Sequence, residues 1–173
     1  MFLWFAAGAA AIVWVIFNSP MVDYRVVMLG AVLPVAEVPW GAGVLHTLLA
    51  SVAALTIVML ATTPKALSHR RTIRRRWLGL PIGMFLHLIL DGVWTDARLF
   101  WWPFAGSLHG GLFGEQAPEL ARGVWTVAME AAGGLLLVWL WGRWGLDDPG
   151  RRETFLRTGQ LDRAVAMRTP PPS

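Results

Sequence analysis

The stretch from Trp77 to Trp102, WLGLPIGMFLHLILDGVWTDARLFWW, constrains this chain more than any other. It is apolar enough to cross a lipid bilayer, yet it carries His87, Asp91 and Thr95 at four-residue intervals. On a helix that spacing lines the three side chains along one face. Ionisable groups inside a bilayer segment are costly, and they mark functional sites. An imidazole and a carboxylate one turn apart can also reach the same ion. The pattern therefore predicts a membrane helix with a polar, metal-competent stripe.

The rest of the chain agrees with a membrane setting. Of its 173 residues, 55% are hydrophobic, too many for an ordinary soluble domain. Trp4, Trp40, Trp77, Trp94, Trp101, Trp102, Trp125, Trp141 and Trp144 sit near the ends of apolar runs, where an aromatic belt or packing between helices would place them. Cysteine is absent, which excludes a disulfide framework, a thiolate metal site and a cysteine nucleophile. Basic residues cluster in a loop (Lys65, Arg70, Arg71, Arg74, Arg75, Arg76) and in the tail (Arg143, Arg151, Arg152, Arg157, Arg163, Arg168). Both clusters flank apolar segments, as the positive-inside rule produces, so the net charge of +4 reads as topology and lipid contact rather than nucleic-acid binding.

The expected fold is an all-α integral membrane protein with four transmembrane helices plus a short re-entrant or broken helix. The spans are Phe2 to Phe17, Val44 to Thr62, Leu78 to Trp94 and Val124 to Trp141. The first lacks the basic start and small-residue cleavage site of a signal peptide and is expected to be retained. Val26 to Val38, with Pro34 inside it, is too short for a comfortable span and is expected to line a cavity. Read as a fifth span, it would carry the N-terminus to the outside. Residues 1–145 form the polytopic membrane domain. Residues 146–173 form a cytoplasmic basic tail, with a short surface helix to about Met167 and a disordered end from Thr169 to Ser173.

On the four-span arrangement both termini lie inside. Asp23, Glu37, His46, His87, Asp91 and Glu130 then all fall at the outer side, around a shared polar cavity. Each has a plainer role as well. His87 can be an interhelical hydrogen-bond donor. Asp91 can pair with Arg98 or Arg122, and His46 can be hydrated at a helix end. Glu130 can belong to a close-packed strip with Thr126, Gly133 and Gly134. His69 and His109 are expected to be solvated.

Two stretches resemble the membrane-bound metal-dependent hydrolase family. GMFLHLILDGVWTDARLFWWPF matches its signature at Gly83, His87, Asp91, Thr95 and Trp102-Pro103-Phe104. VVMLGAVLPVAEVPWGAGVLHTLLAS matches a second element at Gly30, Leu33, Pro34, His46 and Thr47. The chain departs from the second element at Val35, where the family has Asp; Glu37 stands where a second Asp would be, and a His-Arg pair is missing. The resemblance, over residues 23 to 104, implies a divalent metal such as zinc held by His46, His87 and Asp91. Glu37 or Glu130 would act as fourth ligand or as general base. The implied activity is hydrolysis of a lipid or cell-envelope substrate at the extracytoplasmic side of a bacterial inner membrane. The alternative is a catalytically degenerate scaffold or accessory subunit. Membrane lipids, and a protein partner or a second copy, are the expected partners.

Overall fold

The structure is a computed structural model, and it describes residues 1–62, 68–105, 113–115 and 123–166. Nearly all of these are helical. Helix α1 (Phe2–Phe17) ends at Asn18, whose left-handed backbone turns the chain. Helix α2 (Tyr24–Val32) begins where the Asp23 carboxylate accepts the backbone N–H groups of Arg25 and Val26. Pro34 has no N–H to continue the α ladder, so the chain tightens into a 3-10 helix over Leu33–Trp40. This is the broken helix expected of the Pro34 segment.

Helix α3 (Leu48–Ala61) is capped by Thr47, whose hydroxyl accepts the Ala50 N–H. The basic helix α4 (Ser68–Trp77) leads into α5 (Gly79–Asp91), which ends at Gly92 in the left-handed region. A short α6 (Ala97–Phe100) follows, and then α7 (Val124–Trp144), α8 (Pro149–Thr158) and α9 (Arg163–Ala166). Two minimal strands, β1 (Ala42–Gly43) and β2 (Phe113–Glu115), pair antiparallel with Ala42 opposite Glu115 and Gly43 opposite Phe113.

Neighbouring atoms set the helix directions. Helices α2 and α5 run parallel and close, because a Cβ on Gly79 would meet Val27, one on Gly83 would run into Val27 and Ala31, and His87 reaches the Ala31 carbonyl. Such small residues let the two backbones approach closely. Helices α1 and α7 are also parallel: Leu3 meets Glu130, Trp4 lies against Gly133, and Trp14 packs on Trp139 and Trp144. Helix α1 opposes α5, with Phe5 on the His87 ring and Phe17 near Leu78. Helix α3 starts beside His87, through His46.

Helices α1, α2, α3, α5 and α7 therefore alternate in direction. Glu37, His46, His87, Asp91 and Glu130 lie toward one end of the bundle. The other end holds Asp23, Arg76 and the segment after Trp144. Two expectations change accordingly. The start of α1 and the tail lie at opposite ends, not on one side. Asp23 is not part of the polar convergence; it is buried beside the basic helix, with Arg76 Nε at 2.9 Å and Arg25 Nη2 at 3.1 Å.

The core runs through Phe5, Val13, Trp14, Tyr24, Val27, Leu86, Leu140 and Trp144, and it extends into the tail at Leu161 and Ala166. Trp14 Nε1 donates to the Val165 carbonyl, Tyr24 N to the Gly159 carbonyl, and Arg25 to the Leu156 carbonyl. The tail helices are thus docked on the bundle. Trp144 is one of the tryptophans that packs between helices, whereas Trp40, Trp94 and Trp125 are exposed. The tail end from Thr169 to Ser173 lies outside the described residues.

Among the described residues, α7 is the one helix long and apolar enough to cross a membrane. It has 21 residues, and 11% of its most apolar window is buried inside the molecule. At about 1.5 Å per residue it reaches roughly 31 Å, the thickness of a bilayer core. Helices α1 and α3 are apolar but shorter, at 16 and 14 residues.

Candidate metal centre

His46, His87 and Asp91 each place one ligand atom within 4.8 Å of the other two, and all three residues are buried. Three separate features of the chain bring them together. His46 ends a 3-10 turn (Val44–His46) just before the α3 cap. His87 and Asp91 lie one turn apart on α5, as their spacing predicts. The Gly contacts that let α5 approach α2 then carry His87 inward, against Phe5 at a ring separation of 4.1 Å and His46 at 5.2 Å.

The hydrogen bonds determine which ring nitrogens can bind a cation. His87 Nδ1 lies 2.7 Å from the Ala31 carbonyl oxygen, an acceptor, so the proton sits on Nδ1. His46 Nδ1 lies 3.1 Å from Glu37 Oε2, and it donates there as well. A neutral imidazole protonated at Nδ1 presents its lone pair at Nε2. Two such lone pairs and the Asp91 carboxylate meet in one buried volume. The three ligand atoms are close enough together to hold one metal ion. Two imidazoles and a carboxylate, each imidazole steadied at its far nitrogen by an oxygen acceptor, form the donor set and outer support of a zinc-type site. The residues present therefore fit a divalent metal.

Glu37 supports this group from behind. Its carboxylate accepts the backbone N–H groups of Gly43 at 3.1 Å and Leu45 at 2.9 Å as well as the His46 ring. Both of its oxygens are engaged in this way. A cavity lined by Ala36, Glu37, Trp40 and Leu45 reaches it from outside.

Glu130 does not join the cluster. Its two oxygens accept the Leu3 N–H at 3.1 and 3.2 Å, and it supports the start of α1. Thr95 also leaves the expected stripe. Helix α5 stops at Asp91, the left-handed Gly92 redirects the chain, and Thr95 is exposed with its hydroxyl on the Gly92 carbonyl. Arg98 is exposed on α6, His109 and Arg122 lie outside the described residues, and Val35 is buried in the 3-10 segment.

The Ala31 carbonyl that orients His87 has no counterpart in the sequence motifs. Its signal is Pro34: where the chain switches from α to 3-10 pairing, a carbonyl loses its helical donor, and His87 supplies another. Compared with protein-family models, curated proteins and solved structures, the chain has no match.

Proposed function

We propose that the protein is a membrane-embedded, metal-dependent hydrolase acting on a lipid or cell-envelope substrate at the end of the bundle where His46, His87 and Asp91 meet. One observation carries this: a buried set of two imidazoles and a carboxylate whose ligand atoms lie within 4.8 Å of one another. Three protein ligands with a position left for substrate or water is the pattern of catalytic zinc rather than structural zinc. A divalent ion in such a site supplies Lewis-acid polarisation of an oxygen and a lowered pKa for water. His46 and His87 would hold it through Nε2 and Asp91 through its carboxylate. Glu37 would act as a positioning residue that keeps the His46 proton on Nδ1.

The membrane arrangement belongs to the same proposal. The five alternating helices would make five crossings, the alternative arrangement of the sequence. The start of α1 would face the extracytoplasmic side, and Arg74, Arg75, Arg76 and the tail would face the cytoplasm. Support comes from exposed apolar side chains along α1, α3 and α7, such as Ile16, Ile57 and Leu135, and from the arginines gathered at one end. A bacterial inner membrane is what the family resemblance implies.

A second possibility, an accessory subunit without catalysis, is favoured by one feature: the three ligands are at most 1% exposed. The deciding experiment incubates zinc-loaded protein in bicelles with radiolabelled envelope lipids and follows release of a water-soluble product. Turnover that disappears in both His87→Ala and Asp91→Ala supports the hydrolase. If the zinc-loaded protein consumes no lipid class, the accessory role stands instead.

A further inference from the structure

A groove of about 470 Å³ runs between α1, α3 and α5, with Ile12, Leu55, Pro81, Ile82 and Phe85 among its walls. Its lining includes Leu48, Ser51 and Leu86, close in sequence to His46 on one side and to His87 on the other. Ile16, Val52, Leu55, Phe85 and Ile89 are exposed along it, so it opens sideways, toward what would be lipid. Among the described residues, no charged one lines it.

Among the described residues, Ser51 is its one polar lining residue. The residue is 4% exposed, and its buried Oγ has no hydrogen-bond partner. Hydroxyls in an apolar helix ordinarily bond back to a carbonyl of the preceding turn. Thr56 and Thr62 do this, donating to the Val52 and Val58 carbonyls at 2.8 and 2.6 Å. Ser51 does not, although a buried hydroxyl left without a partner is costly. A hydrocarbon wall with one unsatisfied donor near its inner end suits an amphiphile whose chain begins at a hydrogen-bond acceptor.

We infer that the groove holds the hydrocarbon chain of a membrane lipid, and that Ser51 donates to the ester oxygen joining that chain to its headgroup. Ser51 lies one turn beyond Thr47, about 6 Å along the α3 axis. A lipid seated this way would bring its linkage region toward His46 and His87. The chain's role as substrate rests on the hydrolase proposed above, whereas the seating of the chain requires no metal.

The test is photocrosslinking of the full chain in phosphatidylcholine bicelles with two probes. One is phosphatidylglycerol carrying a diazirine on an acyl chain, and the other is a diazirine-bearing hexadecane with no ester. Labelled peptides are mapped by mass spectrometry. The ester probe should concentrate on α3 and α5. Leu55→Trp, which fills the groove, should cut that labelling about tenfold while labelling of the outer face of α7 stays constant. Ser51→Ala should reduce groove labelling by the ester probe about fivefold, the scale of one neutral hydrogen bond, and leave the alkane unchanged. Chelator-treated wild-type protein should take up the probe as the zinc-loaded protein does, which separates failure of the groove from failure of the metal site. Even labelling of all exposed helix faces, indifferent to Leu55→Trp, would mean surrounding lipid only and overturn the inference. Equal response of both probes to Ser51→Ala would overturn the role of Ser51.

Discussion

Gly83 is where packing and site chemistry meet, and Gly83→Ala tests both. The added Cβ would overlap the Val27 carbonyl oxygen and the Ala31 amide, and would sit 2.9 Å from the Gly30 carbonyl carbon. These are backbone atoms in a close-packed interface, so no side-chain rotation relieves the overlap. Helices α2 and α5 must part by on the order of 1 Å. The His87 Nδ1 to Ala31 bond starts at 2.7 Å, so that displacement takes it to roughly 3.7 Å, outside hydrogen-bonding range. Overpacking of this kind costs about 1–3 kcal/mol of stability. Loss of an outer-shell contact to a metal-binding histidine costs about 10–100-fold in affinity. Zinc affinity by chelator competition and unfolding by SDS titration measure the two effects. Gly142→Ala is the control: an added Cβ there meets nothing within 4 Å, so it should be neutral or stabilise α7 by up to about 1 kcal/mol. Wild-type zinc affinity together with wild-type stability in Gly83→Ala would refute the link between helix approach and imidazole orientation.

Three more outcomes follow from individual contacts. Glu37→Gln retains the shape but loses acceptor capacity toward Gly43, Leu45 and His46, so zinc affinity should fall about 10–100-fold by chelator competition while one ion still binds at saturation. Glu130→Ala should destabilise the α1–α7 pair by about 1 kcal/mol in the SDS assay and leave zinc affinity within twofold, because its oxygens serve Leu3; a tenfold loss of affinity would place it in the site after all. The chain has no cysteine, so single-cysteine labelling is clean: an impermeant maleimide on intact cells should react with Phe2→Cys and spare Arg157→Cys until the cells are lysed. Labelling of both from one side would contradict five crossings.

Much of the site was legible because short-range periodicity encodes it. His87 and Asp91 are four apart on a helix, and that spacing alone predicts a shared face. The break at Pro34 was readable from the missing N–H. Thr95 was misplaced because the same periodicity was carried past Gly92, where the left-handed backbone ends α5. Asp23 is misplaced for a different reason: its end of the bundle depends on whether α2 counts as a crossing, and therefore on helix directions that only long-range contacts reveal, whereas Glu130 lies at the expected end but is turned to the Leu3 N–H rather than to the cluster. The Pro34 segment was the ambiguous element, and its direction decides which end of the bundle every earlier residue occupies. The roles of Ala31 and Ser51 were invisible for the same reason: one is a backbone carbonyl and the other a small hydroxyl, and each gains meaning only from its neighbours across the bundle.

The decisive measurement is the metal content of detergent-purified protein by mass spectrometry, taken together with that of His46→Ala, His87→Ala and Asp91→Ala. One divalent ion per chain in the wild type, lost in each of the three variants while the helical circular-dichroism signal is retained, is the predicted result. Wild-type protein that stays metal-free after incubation with excess zinc would contradict it.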